Sequence, residues 1–207
     1  MRSIDSNTLA ALSSESLVLR NFVYVRGKTT GGAPVAFGFW NGEDDTSGAV
    51  FEAVDGATES RTYIGGGSLL DIGAIPSVIG LEVRTVSVKL SQIHPDVQVM
   101  VRANDIRHAV VEVHRGLFNV STGQLVAAPY PRFLGKINAA PIETPSARGE
   151  GSITLKCVSN TRDLTRVNTA KKSDETQKLR TGDRFRRFAG VAKAWERWWG
   201  EAKGDKK

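Results

Sequence analysis

Alternating apolar and polar positions organise most of the chain. In Leu17–Val25 the residues Leu17, Leu19, Val23 and Val25 share one face and Phe22 and Tyr24 the other, which predicts a strand. After a turn over Gly27–Gly32, Val35, Phe37 and Phe39 alternate again and predict a hairpin partner. Leu81 and Val83 occupy one phase while Val86, Val88 and Leu90 occupy the other, so a bulge or sharp bend is expected near Thr85. Such bends suit the wall of a small barrel. Residues 95–103 alternate at Val97, Val99 and Val101, but Pro95 fits a first helical turn and Val97, Met100 and Val101 share a helical face; a short helix is favoured.

Ala109, Val111 and Val113 then line one strand face, and His108, Val110, Glu112 and His114 the other. Asn119–Gly123 has the composition of a hairpin turn. Residues 124–128 and 132–138 read as strands separated by Pro129 and Pro131, which lack ladder donors and predict an edge or a bend. Phe133, Gly135 and Ile137 form one face, as do Ile153, Leu155 and Cys157. At the start, residues 3–14 predict a short helix capped by Asp5 or Ser6. Between Trp40 and Gly80 the alternation weakens into an acidic turn over Asn41–Asp45 and a glycine link over Gly65–Ser68, and irregular structure is expected.

Charge divides the chain in two. Residues 1–158 carry 14 Lys/Arg and 15 Asp/Glu, a net −1, whereas 159–207 carry 14 and 7, a net +7. The expected architecture is therefore mainly β: a small β-barrel or sandwich with one or two short helices over 1–158, then a basic, partly helical extension over 159–207. In that extension Ser173, Asp174 and Glu175 offer a helix cap and first turn. Phe188, Val191, Trp195, Trp198 and Trp199 recur at helical spacing just after Phe185. So much aromatic surface at one place predicts docking, either to another subunit or back onto the chain's own barrel.

Chemistry is sparse. The chain has one cysteine and three histidines, and no phosphate loop, nucleophile elbow or zinc spacing. No catalytic residue, cofactor site or metal site is predicted. The Asn41–Asp45 turn lacks a calcium-loop pattern and reads as a solvated turn. His108 and His114 stand six residues apart, ~20 Å in an extended strand, too far for one ion. They and Glu112 therefore read as exposed polar positions on a half-buried strand. Cys157 reads as a small core residue, and a lone cysteine forbids an internal disulfide. No apolar run approaches the ~18–20 residues of a spanning helix, and the N-terminus lacks the core of a secretory signal. The basic, aromatic tail keeps two other readings open: nucleic-acid binding and a membrane-surface helix.

The runs Ile79-Gly-Leu-Glu-Val with Val88-Lys-Leu-Ser-Gln-Ile93, His108–Phe118, and Gly123-Gln-Leu-Val with Arg132-Phe-Leu-Gly-Lys-Ile137 resemble the tail-tip (baseplate) hub proteins of long-tailed bacteriophages and related gene transfer agents. Thr161–Arg166 and Gly182–Phe185 resemble the segment that follows the barrel in such hubs. The resemblance spans about 75–207 and is looser over 1–74. It implies a non-enzymatic virion protein made in the host cytoplasm. Identical copies would form a ring, a trimer, joining the end of the tail tube to the central fibre or spike protein. A distal tail protein or other minor tail protein of related barrel design is the nearest alternative, and the distal tail protein is also an expected neighbour. Phe185, Phe188, Val191, Trp195, Trp198 and Trp199 are the docking residues expected on this reading. Larger relatives carry a cysteine-bound iron–sulfur cluster, which Cys157 alone does not imply here.

Overall fold

The computed structural model describes residues 4–14, 16–53, 55–77, 80–146 and 151–194. Met1–Thr165 and Arg166–Lys207 are separate compact units. The first unit opens with α1 (Ser6–Leu12), whose first turn is capped by Asp5 Oδ2 accepting the N–H groups of Asn7 and Thr8. The strands follow as β1 (Val18–Thr29), β2 (Pro34–Trp40), β3 (Thr46–Phe51), β4 (Thr58–Tyr63), β5 (Leu69–Ile72) and β6 (Thr85–Ser91). After α2 (Pro95–Ala103) come β7 (Asn104–Phe118), β8 (Tyr130–Ala139), β9 (Ile142–Glu143) and β10 (Ser152–Ser159), then α3 (Thr161–Leu164). The second unit holds α4 (Asp174–Lys178) and α5 (Ala189–Lys193).

The chain is mainly β, as its alternation predicts. Among the described residues an antiparallel eight-stranded sheet runs in the order β2-β1-β7-β8-β10-β6-β5, with β9 beside β10. The sheet curls into a half-barrel whose inward positions are the predicted ones. Val23, Val25, Phe39, Val86, Val88, Leu90, Val111, Val113, Ile137, Ile153, Leu155 and Cys157 form one core, and each is at most 1% exposed. The segment Ile64–Ser68 bridges the two edges. Trp40 donates its N–H to the Ile64 carbonyl, Ile64 donates to Gly38, and Ser91 donates to Ser68. A Cβ at position 38 would collide with the Thr62 carbonyl, so glycine lets β2 approach this closely. Helix α2, capped by His94 Nδ1 accepting the Asp96 N–H, lays Val97 and Met100 into the same core.

The hairpin β3–β4 forms a second layer. It covers the outer face of β1 and β7 and closes a smaller core of Phe22, Trp40, Val50 and Tyr63. Phe22 stacks on Trp40 at 5.5 Å between ring centres, and Trp40 Nε1 donates to the Asp44 carbonyl. This hairpin and β5 correct the expectation of irregular structure between Trp40 and Gly80. Strand β4 reads Thr-Glu-Ser-Arg-Thr-Tyr, and its buried positions are Arg61 and Tyr63 rather than aliphatic residues.

Three other expectations change. No bulge lies at Thr85: β6 starts there, and Leu81 and Val83 precede it as exposed residues. The barrel bends elsewhere, with register shifts at Arg26/Lys28 against β7 and at Val113/His114 against β8. The second shift places Pro131 opposite His114, so the Pro129–Pro131 region makes the predicted bend inside the sheet. Residues 124–128 form no strand; Leu125 makes a single bridge to Phe118. Among the described residues no helix is long and apolar enough to cross a membrane, which says nothing of strands.

Candidate functional site

The sequence places the polar face of β7 in solvent, whereas two of its three polar residues lie between the two layers. Glu112 and His114 are both fully buried, because β3–β4 lies across them. His108 belongs elsewhere, exposed in the irregular part of β7 with a φ of 59°.

Five charged side chains meet under the hairpin. Glu112 Oε1 accepts Arg26 Nη2 at 2.6 Å; Glu112 Oε2 accepts Arg61 Nη1 at 3.0 Å and the Ala53 N–H at 3.3 Å. Arg26 also binds Glu52, and Arg61 Nε donates to Glu59 Oε2 at 2.8 Å. Arg61 stands 4.2 Å over the centre of the Tyr24 ring, a cation–π contact in a desolvated place. Barrel strands thus supply Glu112 and Arg26, and the hairpin with its loop supplies Arg61, Glu59, Glu52 and the Ala53 amide.

The electrostatics follow from burial. Desolvation opposes the Arg61 charge, but hydrogen bonds to Glu112 and Glu59 outweigh it and hold the guanidinium above its ordinary range. Burial pushes the Tyr63 and Tyr24 phenols up. It pushes the His114 imidazole below its ordinary value, against the Phe51 carbonyl and Glu112, which favour the charged ring. His114 Nε2 lies 2.8 Å from the Phe51 carbonyl, and a carbonyl only accepts, so Nε2 carries the proton. Among the described residues Arg61 Nη2, Tyr63 Oη and His114 Nδ1 are buried without a hydrogen-bond partner. Each such group costs about 1–3 kcal/mol. Glu112 is saturated and out of solvent, so it offers no free acceptor to a substrate; the cluster is arranged to hold a hairpin.

Two surfaces complete the inventory. On the barrel unit, Ile4, Leu12, Leu17, Leu19 and Leu117 line a groove of about 330 Å³ between α1 and the sheet, rimmed by Arg115 and Arg132. On the C-terminal unit, Ser173 Oγ caps α4 by accepting the Thr176 N–H, where the sequence places a cap. There Phe185, Phe188 and Val191 are 86%, 64% and 71% exposed, with Arg187 stacked 5.3 Å from the Phe188 ring centre. Trp195, Trp198 and Trp199, the rest of the predicted docking set, lie outside the described residues. Cys157 sits in the barrel core, where burial pushes its thiol up to about 12, so at neutral pH it is a thiol and not a nucleophile. Among the described residues no group of three or more His, Cys, Asp or Glu could hold a metal ion.

The buried cluster is not visible in the sequence because the partners of Glu112 stand 51 to 86 residues from it in the chain. One signal was available: Arg61 and Tyr63 alternate within a short polar run, as the inward positions of a strand would. No family model matches the chain, and no curated protein matches it.

Proposed function

We propose that this chain is a structural subunit of a phage tail tip, a hub whose copies form a ring between the tube end and the central fibre or spike. One observation carries the reading furthest. Ile4, Leu12, Leu17 and Leu19 are 38–50% exposed and line one groove of the barrel unit. An apolar groove of that kind supports a contact with a second copy of the chain. The exposed Phe185, Phe188 and Val191 support a second contact, from the C-terminal unit to a neighbouring tail protein. The resemblance of residues 75–207 to tail-tip hubs supplies the biological setting.

Mass spectrometry of purified particles should find the chain in the virion, and its absence there would overturn the proposal. In solution the full chain should sediment as a trimer, and Leu12→Asp with Leu19→Asp should reduce it to monomers. A monomeric wild-type chain at tens of micromolar would remove the ring.

A second reading has its own observation: Lys171, Lys172, Arg180 and Arg186 surround exposed Phe185 along one cleft of the C-terminal unit. Basic residues around an aromatic ring fit single-stranded nucleic acid, with phosphates paired and a base stacked. For the full chain, log affinity for a single-stranded oligonucleotide would then fall linearly with log salt, at about −0.7 per phosphate contact. No binding at low salt would discard this reading.

A further inference from the structure

The hairpin β3–β4 is tied to the barrel by polar contacts that converge on two residues of β7. Glu112 receives Arg61 and the Ala53 N–H from the hairpin side, and His114 donates from Nε2 to the Phe51 carbonyl at the end of β3. His114 is fully buried, and its Nδ1 has no hydrogen-bond partner among the described residues. We propose that Glu112, His114 and Arg61 form a proton-sensitive latch, which holds the hairpin on the barrel while His114 is neutral and releases it when His114 takes a proton on Nδ1.

The surroundings of the ring decide the direction. Its own strand presents Glu112, whose Oε2 is 3.5 Å from Nε2 and is already shared with Arg61. Strand β4 presents the cation Arg61, and β3 presents the neutral Phe51 carbonyl. The residues paired with His114 on β1 and β8 are Phe22 and Pro131, and neither titrates. Glu52 and Arg26 stand one contact further out, bound to each other, with Arg26 also on Glu112. A proton on Nδ1 thus places a further cation beside Arg61, in a compartment whose nearest carboxylate is occupied. Burial, the largest influence, and Arg61 both disfavour the charged ring, and the Phe51 carbonyl and Glu112 only partly offset them.

The sign follows by linkage. With its closed-state pKa depressed, His114 binds fewer protons in the closed form than in the open form. Closure is therefore favoured above the ordinary imidazole value of about 6.5 and weakens as pH falls below it. Opening would uncover the face of β1 and β7 that carries Phe22, Glu112 and His114. The latch does not depend on the tail-tip reading.

Hydrogen exchange on the full chain tests it, with amides of Thr46–Tyr63 compared against β10 of the same molecule after correction for intrinsic rates. Between pH 7.5 and pH 5.5 the opening constant of the hairpin should rise, by at most about tenfold, while β10 stays unchanged. His114→Gln keeps a donor for Phe51 and cannot titrate, and it should abolish the rise. A hairpin that ignores pH, or a rise of equal size in His114→Gln, overturns the latch. If that variant does not fold, His94→Asn with His108→Asn leaves His114 as the sole imidazole for an NMR titration. A midpoint below about 6.5 supports the latch, and one at or above it overturns it.

Discussion

Glu112→Ala should lower the unfolding free energy by about 3–5 kcal/mol, the usual cost of leaving one member of a buried ion pair alone. The carboxylate is inaccessible to water and receives Arg26, Arg61 and a backbone N–H. Without it Arg61, also buried, keeps only Glu59 and the distant Glu52 at 3.9 Å, while Arg26 retains Glu52 and partial access to solvent. The loss should therefore come mainly from stranding Arg61. Glu112→Leu combined with Arg61→Met removes both charges and should recover most of the stability, since well-packed apolar residues replace buried pairs at little or no cost. Denaturant titrations of the three proteins decide the matter. A drop below about 1 kcal/mol for the single variant would mean that water reaches the cluster.

Phe39→Ala should cost about 3–5 kcal/mol, through lost burial and the cavity left behind. Phe39 is fully buried on β2, the strand at the bridged edge of the barrel, and its ring stacks on Phe37 at 6.4 Å. Its loss removes core contacts where Ile64 joins the two edges. At roughly 2–4 °C per kcal/mol for a chain of this size, the melting temperature should fall by at least 6 °C. Phe185→Ala provides the contrast. That ring is 86% exposed in the C-terminal unit, so its removal should change stability by less than about 0.5 kcal/mol and show instead in association. If Phe39→Ala proved as mild, Phe39 would not be a core residue.

The barrel was legible in advance because its core obeys a two-residue period. Val86, Val88 and Leu90 on β6, Val111 and Val113 on β7, and Ile153, Leu155 and Cys157 on β10 are the predicted faces, and all are buried. Two caps were legible for the same local reason: Asp5 and Ser173 each satisfy N–H groups two or three residues on. Thr85 misled because a change of phase can mark a bulge or a strand start. Leu81 and Val83 alternate as strand residues do, although they lie outside the sheet.

The hairpin layer was not legible. A polar run such as Thr58–Tyr63 signals a loop when hydrophobicity is the guide, and it becomes a strand with two buried positions once Arg61 meets Glu112 from 51 residues away. Glu112 and His114 illustrate the limit from the other side. Their alternation with Val111 and Val113 correctly set them on the opposite face of β7, but alternation identifies faces and not what covers them. Local pattern alone carries the strand periods, the caps at Asp5 and Ser173, the core cysteine and the change of charge after residue 158. That a second layer lies on the outer wall is settled in three dimensions, because the contacts of Arg61 and the Ala53 N–H with Glu112 are long-range Coulombic and hydrogen-bonded ones. No local pattern of hydrophobic and polar residues encodes it.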